Sequence, residues 1–213
     1  MKNIVIIGAG DLGKEVVWMI EDINKRKPTY LIMGFLDDDV EKTGNIHYGY
    51  EVLGTLDKLP ELSEKMDISA VIAIQDGAIR KTIVNHFSEF EAWETIIHPS
   101  VNIAATSCVG KGSILFANTI VSVDSILGKF NMCYLASTIC NDCKFGDYVS
   151  VMSGGLVSEH VDMGEETYLA SGVCVYPHTK IGKRVRASVG TTISKDCADD
   201  SVINGRGLNL FFK

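Results

Sequence analysis

The chain has 213 residues, 46% of them hydrophobic and 22% charged, with a formal net charge of −7. That composition suits one large or two small globular domains with a sizeable core. An acidic balance without a Lys/Arg cluster argues against nucleic acid or an anionic membrane surface as partner, and no apolar run is long enough to span a bilayer.

The opening MKNIVIIGAGDLGKEV moves from a short apolar run straight into a glycine turn. It lacks the longer apolar core and cleavage site of a signal peptide, so the expected location is cytoplasmic. Residues 4–8, IVIIG, read as a buried strand, GAGDLG (8–13) as a turn, and KEVVWMIEDI as an amphipathic helix. Strand, glycine turn and helix are the setting in which Gly8, Gly10 and Gly13 let a diphosphate approach a helix N-terminus. YLIMGFLDDD (30–39) is a second strand ending in acids, and Asp37 and Asp38 stand where a carboxylate meets a ribose or a base edge. ISAVIAI (68–74) is a third strand and GAIRKTIVNHF (77–87) a helix with Arg80 in its first turn; ETIIH (94–98) closes the unit. About one hundred residues is too short for a two-half dinucleotide fold, which favours a mononucleotide-type ligand over a nicotinamide cofactor. The competing reading is a tight turn with no ligand.

The remainder repeats every six residues. Sixteen positions from Ile103 to Ile193, taken in sixes, are all apolar, and glycine follows at 110, 128, 146, 164 and 182. A period of six grouped in eighteens predicts a triangular β-helix, three short strands per coil with the apolar side chains inward. The expected architecture is therefore a Rossmann-like α/β unit over 1–97 and a left-handed parallel β-helix over 98–213, the coils ending near 197 and a short tail, GLNLFFK, docking on a coil or a neighbour. Flat coil surfaces of this kind commonly pack three chains about an axis, so a homotrimer is expected.

All six cysteines lie in the second half, and Cys140 and Cys143 form a single C-x-x-C. One such pair, outside a thioredoxin-like setting, predicts neither a zinc site nor a redox centre but small turn or core residues. His98 reads as structural, and His47 and His86 have no evident partner.

GAGDLGKEV, GFLDD, VIAIQDGAIRKTI, IIHPS and the hexapeptide repeat together resemble the sialic acid O-acetyltransferase and nucleotide-amino-sugar N-acetyltransferase family over essentially the whole chain. The resemblance implies acetyl transfer from acetyl-CoA, as co-substrate, to a sugar, with no metal. It places a nucleotide sugar against Gly8, Gly10, Gly13, Asp37, Asp38, Gln75 and Arg80. It places acetyl-CoA between subunits near Gly155, Ala170, Gly172 and Lys195.

The family has a general-base histidine followed by an acid in a segment similar to ICNDCKFGDY (139–148). Here Asn141 stands at the histidine position, Asp142 follows, and Ser150 replaces a second histidine often found nine residues on; the closing segment is NGRGL (204–208). Asparagine is no useful proton acceptor. Three outcomes stay open. An amine acceptor needs less help than a hydroxyl. The base has moved, because eighteen-residue spacing stacks Asp124, Asp142, His160, His178 and Asp196 in one column and sets Asp142 beside His160; against this, corners simply favour polar turn residues. Or the chain is an inactive sugar-nucleotide-binding or assembly protein on the same fold.

Overall fold

The computed structural model describes residues 1–205, so the tail and the end of NGRGL fall outside the described residues. The first unit runs β1 (Lys2–Ile7), α1 (Asp11–Arg26), β2 (Tyr30–Leu36), β3 (Ile46–His47), β4 (Tyr50–Gly54), α2 (Lys58–Lys65), β5 (Ile68–Ile72) and α3 (Gly77–His86). Its sheet has the order β3-β4-β2-β1-β5, parallel except for the β3–β4 hairpin. Both faces are covered, which explains the unbroken apolar run of β1. Ile4 and Ile6 pack with Val16, Val17 and Ile20 of α1, and Val5 and Ile7 pack with Leu59 of α2 and Ile83 of α3.

The hairpin and α2 were not legible as periodic segments. The hairpin turns on Tyr48 and Gly49, both at positive φ (46° and 82°), the pairing a tight two-residue turn requires.

The changeover between units lies slightly earlier than the sequence suggested. The Glu94 N–H still donates to the Ala70 carbonyl of β5. Ile96–Ile97 already pairs in parallel with Ile114–Leu115. Glu94 therefore still belongs to the first unit, and Ile96–Ile97 is the first strand of the second.

From there two-residue strands stack into three parallel faces. Face one holds the strands beginning at 102, 120, 138, 156, 174 and 192, face two those at 108, 126, 144, 162 and 180, and face three those at 96, 114, 132, 150, 168, 186 and 202. This is the expected left-handed β-helix, with residue i beside i+18, as in Ile120 with Thr138 and Lys144 with Asp162. Fourteen of the sixteen sixth-position residues are buried in one core, and Ile103 and Val109 pack against it partly buried.

The corners turn through left-handed residues at six-residue intervals, among them Asn118, Asp124, Phe130, Ala136, Asp142, Tyr148, His160, Glu166 and His178. The glycine column at the corner from face two to face three reflects close approach: a Cβ on Gly128 would sit 2.5 Å from the Gly146 carbonyl oxygen. Buried hydroxyls tie coil to coil; Ser125 Oγ donates to the Cys140 carbonyl (2.8 Å) and accepts from the Cys143 N–H (3.1 Å). Left unpaired, each such backbone group would cost about 1–3 kcal/mol.

The last coil is two residues short. Arg186 pairs with Val202 and Ile181 bridges Cys197, steps of sixteen. Asp196 consequently leaves the expected column: its carboxylate accepts from the Lys180 N–H at 2.8 Å.

The α/β unit docks on face three and its flanking corner. Phe130 and Tyr148 stack at 5.3 Å with nearly parallel rings (4°) and join the core beneath α3. A Cβ on Gly77 would meet the Tyr148 carbonyl oxygen at 2.1 Å, so only glycine lets α3 start there.

Candidate active site

The glycine turn sits at the C-terminal end of β1, where parallel sheets open their binding crevice. Its three glycines differ in kind. Gly8 has φ +104°, and a Cβ there would lie 2.9 Å from the Ala73 carbonyl oxygen; one on Gly13 would lie 2.2 Å from the Gly8 carbonyl oxygen. Packing alone requires both. Gly10, the residue before α1, has nothing within 4 Å of a would-be Cβ. It alone leaves open space at a helix N-terminus, as an anion needs.

Asp37 closes the turn from the other strand. Its Oδ2 accepts from the Ala9 N–H (2.8 Å) and from Lys42 Nζ (3.0 Å), and its Oδ1 from the Asp39 N–H (3.0 Å). Burial opposes ionisation, but the hydrogen bonds from the Asp39 N–H, Lys42 and the Ala9 N–H outweigh it and hold the carboxyl below the usual range. Asp38 accepts from the Leu56 N–H through Oδ1 (3.0 Å). A cavity of about 350 Å³ opens here between Ile7, Gly8, Asp37, Asp38, Leu56 and Ile79. A larger hollow of about 630 Å³, between α2 and the loop after α3, lies at the opposite end of β5 and touches none of these residues.

Gln75 is exposed beside this crevice. Arg80 corrects the sequence expectation. It is 1% exposed, and its guanidinium faces the β-helix, not the pocket. Nε donates to the Phe130 carbonyl (3.0 Å), Nη1 to those of Ile74 and Gln75 (2.8 and 2.7 Å), and Nη2 to the Tyr148 carbonyl and to Ser150 Oγ (2.9 and 3.0 Å). Burial pulls its pKa down to about 10. It fastens the two units together and has no donor left for a nucleotide. Ser150, at the second histidine position, is part of the same clasp.

His47 does have a partner. Its Nε2 lies 3.2 Å from the Gly10 carbonyl oxygen, with the ring edge-on to Phe35. No sequence pattern announced it, because a hairpin formed elsewhere in the chain folds it over the turn. His98 is structural, as read: it contacts Asp22 and Ser100 and packs on Trp18.

Asn141, Asp142 and His160 meet at the corner from face one to face two. Asn141 Nδ2 donates to Asp142 Oδ2 at 2.7 Å, and His160 Nε2 lies 3.9 Å from the same oxygen. The second distance is ion-pair range but too long for a hydrogen bond. His160 also stacks on His178, with centroids 4.7 Å apart and planes within 9°. The half-exposed His160 imidazole can take up a proton beside the Asp142 carboxylate; Asn141 donates through Nδ2 and accepts hydrogen bonds through Oδ1, but takes up no proton. In the neighbouring C-x-x-C, burial raises both thiols above their ordinary range. Cys143 is fully buried, donates to the Ser158 carbonyl (3.1 Å), and burial pushes its thiol up to about 11.

Gly155, Ala170 and Gly172 lie elsewhere, at the corner from face three to face one. The Gly155 N–H and carbonyl are both engaged inside the coils, with the Met152 carbonyl and the Thr138 N–H. Lys195 is exposed in the shortened last corner, at the face one to face two edge. Within one chain, face one separates the Gly155–Gly172 edge from Asn141, and the crevice beside the glycine turn sits beyond face three. Among the described residues, no group of three or more His, Cys, Asp or Glu is placed to hold a metal.

Residues 3–87 match the PglD N-terminal domain family. GDP-perosamine N-acetyltransferase of Escherichia coli is 25% identical over 152 residues, 70% of this chain and 66%, just under two thirds, of that one. The acetyltransferase domain of PglB from Neisseria gonorrhoeae, solved with acetyl coenzyme A, superposes with a TM-score of 0.85 at 26% identity, covering 96% of each chain. The resemblance to the nucleotide-amino-sugar N-acetyltransferases holds. The fold of that family is also that of a histidine-to-asparagine mutant of perosamine N-acetyltransferase from Caulobacter crescentus, in complex with CoA and GDP-perosamine (TM-score 0.88, 23% identity, 96% of this chain and 94% of that one). The family's N-terminal domain model ends just after α3, and the β-helix carries the likeness onward.

Proposed function

We propose that the chain transfers acetyl from acetyl-CoA to the amine of a nucleotide-linked amino sugar, as an enzyme of surface glycan synthesis. The observation that carries this reading is the union in one chain of an open glycine turn and a hexapeptide coil, in the arrangement of an acetyltransferase solved with acetyl coenzyme A. The amine nitrogen attacks the thioester carbonyl, the C–S bond breaks, and the coenzyme leaves as thiolate. His160, oriented by Asp142, accepts the proton that the nitrogen loses, in place of the histidine the family has at position 141. Asn141 holds Asp142 in place. An amine is favoured over a hydroxyl because it needs a weaker base.

The site requires more than one copy. The Gly155–Gly172 edge, which would take acetyl-CoA with Lys195, and the Asn141 corner lie on either side of face one. The outward strand residues of that face are Asn102, Ile120, Thr138, Leu156, Cys174 and Thr192, without a charge, and Ile120 and Leu156 are exposed. A second protomer laid on face one would bring the two edges together, and a homotrimer closes that contact on itself.

The second reading, a binding or assembly protein without transferase activity, is favoured by Asn141 alone. Thiol release from acetyl-CoA in the presence of amino-sugar nucleotides separates the two. Release above background supports transfer; none, with nucleotide binding intact, overturns it.

A further inference from the structure

We infer that His178 is a positioning residue for the transfer, holding the His160 ring so that Nδ1, and not Nε2, takes the proton of the amine; this rests on the acetyl-transfer reading above. The two histidines occupy equivalent corners of successive coils and share one left-handed backbone conformation (φ 57° and 58°). Each corner is pinned by the main chain. The His160 N–H donates to the Asn141 carbonyl and the His178 N–H to the Glu159 carbonyl, both at 3.0 Å. Side chains leaving matched corners run side by side, one strand spacing apart. Their rings stack accordingly, with centroids 4.7 Å apart and planes within 9°.

His160 is about half exposed, so burial does not hold its ring; two contacts do. The flat face of His178 sets the plane of the imidazole, the arrangement in which parallel aromatic rings attract. Asp142 Oδ2, 3.9 Å from Nε2, sets which edge carries the proton. A lone pair on Nε2 would be repelled by the carboxylate, whereas an N–H is drawn to it. The proton of the neutral ring therefore sits on Nε2, and the lone pair is on Nδ1. As the amine forms its C–N bond and the C–S bond breaks, the proton lost by nitrogen passes to Nδ1 and then to the departing thiolate. The imidazolium formed in between keeps its Nε2–H beside Asp142.

Steady-state kinetics and nitrogen-15 NMR of the histidine-labelled full chain test this together. His178→Ala removes the ring but not the backbone bond of its corner; it should melt like wild type and lower kcat about fivefold to tenfold with KM unchanged. His178→Phe keeps a flat ring without a nitrogen and should restore most of that loss. The wild-type spectrum should show His160 in the Nε2–H form, and Asp142→Asn should weaken that preference. An unchanged kcat in His178→Ala overturns the positioning role and, where His160→Gln still slows transfer, leaves the reading beneath it standing. A His178→Phe as slow as His178→Ala also overturns it, because the nitrogen then matters and not the stacked ring. A wild-type Nδ1–H form overturns the assignment of the proton to Nδ1. No thiol release by wild type overturns the transfer reading itself. If His178→Ala does not fold, His178→Phe and the wild-type spectrum still decide.

Discussion

Asp142 and His160 lie eighteen residues apart in sequence and one coil apart in space, with His160 Nε2 3.9 Å from Asp142 Oδ2. Neither group is in the position where the family keeps its base, yet both turn the same corner through left-handed backbone (φ 58° and 57°). A corner stacked on a corner converts a sequence interval into a side-chain pair.

If His160 takes the proton, His160→Gln should lower kcat about a hundredfold with little change in KM for either substrate. Asp142→Asn should lower kcat less, because the imidazole is still present but less well oriented. Asn141→His should retain transfer and extend it to hydroxyl acceptors. Steady-state kinetics with paired amine and hydroxyl sugars checks all three, and an unchanged kcat in His160→Gln removes His160 from the mechanism.

Arg80 serves the junction and not the ligand. Arg80→Met leaves several buried carbonyls without a donor and should destabilise the chain by about 3 kcal/mol or more. Arg80→Lys, which keeps one ammonium, should unfold at lower denaturant than wild type while binding nucleotide with unchanged affinity. Weakened binding in a fully folded Arg80→Lys would restore the ligand role.

Two glycine substitutions should separate ligand space from packing space. Gly128→Ala puts a Cβ 2.5 Å from the Gly146 carbonyl oxygen and should destabilise the coil by roughly 2–4 kcal/mol. Gly10→Ala meets nothing and should change stability by no more than about 1 kcal/mol, yet weaken nucleotide binding about tenfold. Thermal melts alongside calorimetry provide both readings, and a Gly10→Ala variant that binds normally empties the turn of its anion.

Acid stability should report Asp37. Its carboxyl is depressed below the ordinary 3.8 in the folded chain, so it stabilises the fold above that value, and the contribution fades as pH falls through the folded value. Asp37→Asn should therefore be less stable than wild type at pH 7, with a gap that closes below about pH 3.8. Denaturant titrations across pH 2–7 check this, and a gap independent of pH rules out ionisation as its source.

Much of this protein is written in intervals. The period of six from Ile103 to Ile193 demanded a triangular coil, because only that shape points every sixth side chain inward. The run IVIIG before GAGDLG marked the first strand and turn, since a β-branched stretch covered on both faces has no polar alternation. Tertiary structure decided what no interval carries. Arg80 reads like a pocket residue, and only the docking of α3 against Phe130 and Tyr148 gives its donors to backbone carbonyls 50 and more residues away. Asp196 fits the eighteen-residue column on paper, but a corner two residues short moves it to Lys180. Gly155 and Asn141 are fourteen residues apart and yet occupy different edges of the coil. Local repetition dictates the scaffold, because each coil reads only its neighbours; which edges and surfaces meet depends on burial between segments far apart in the chain.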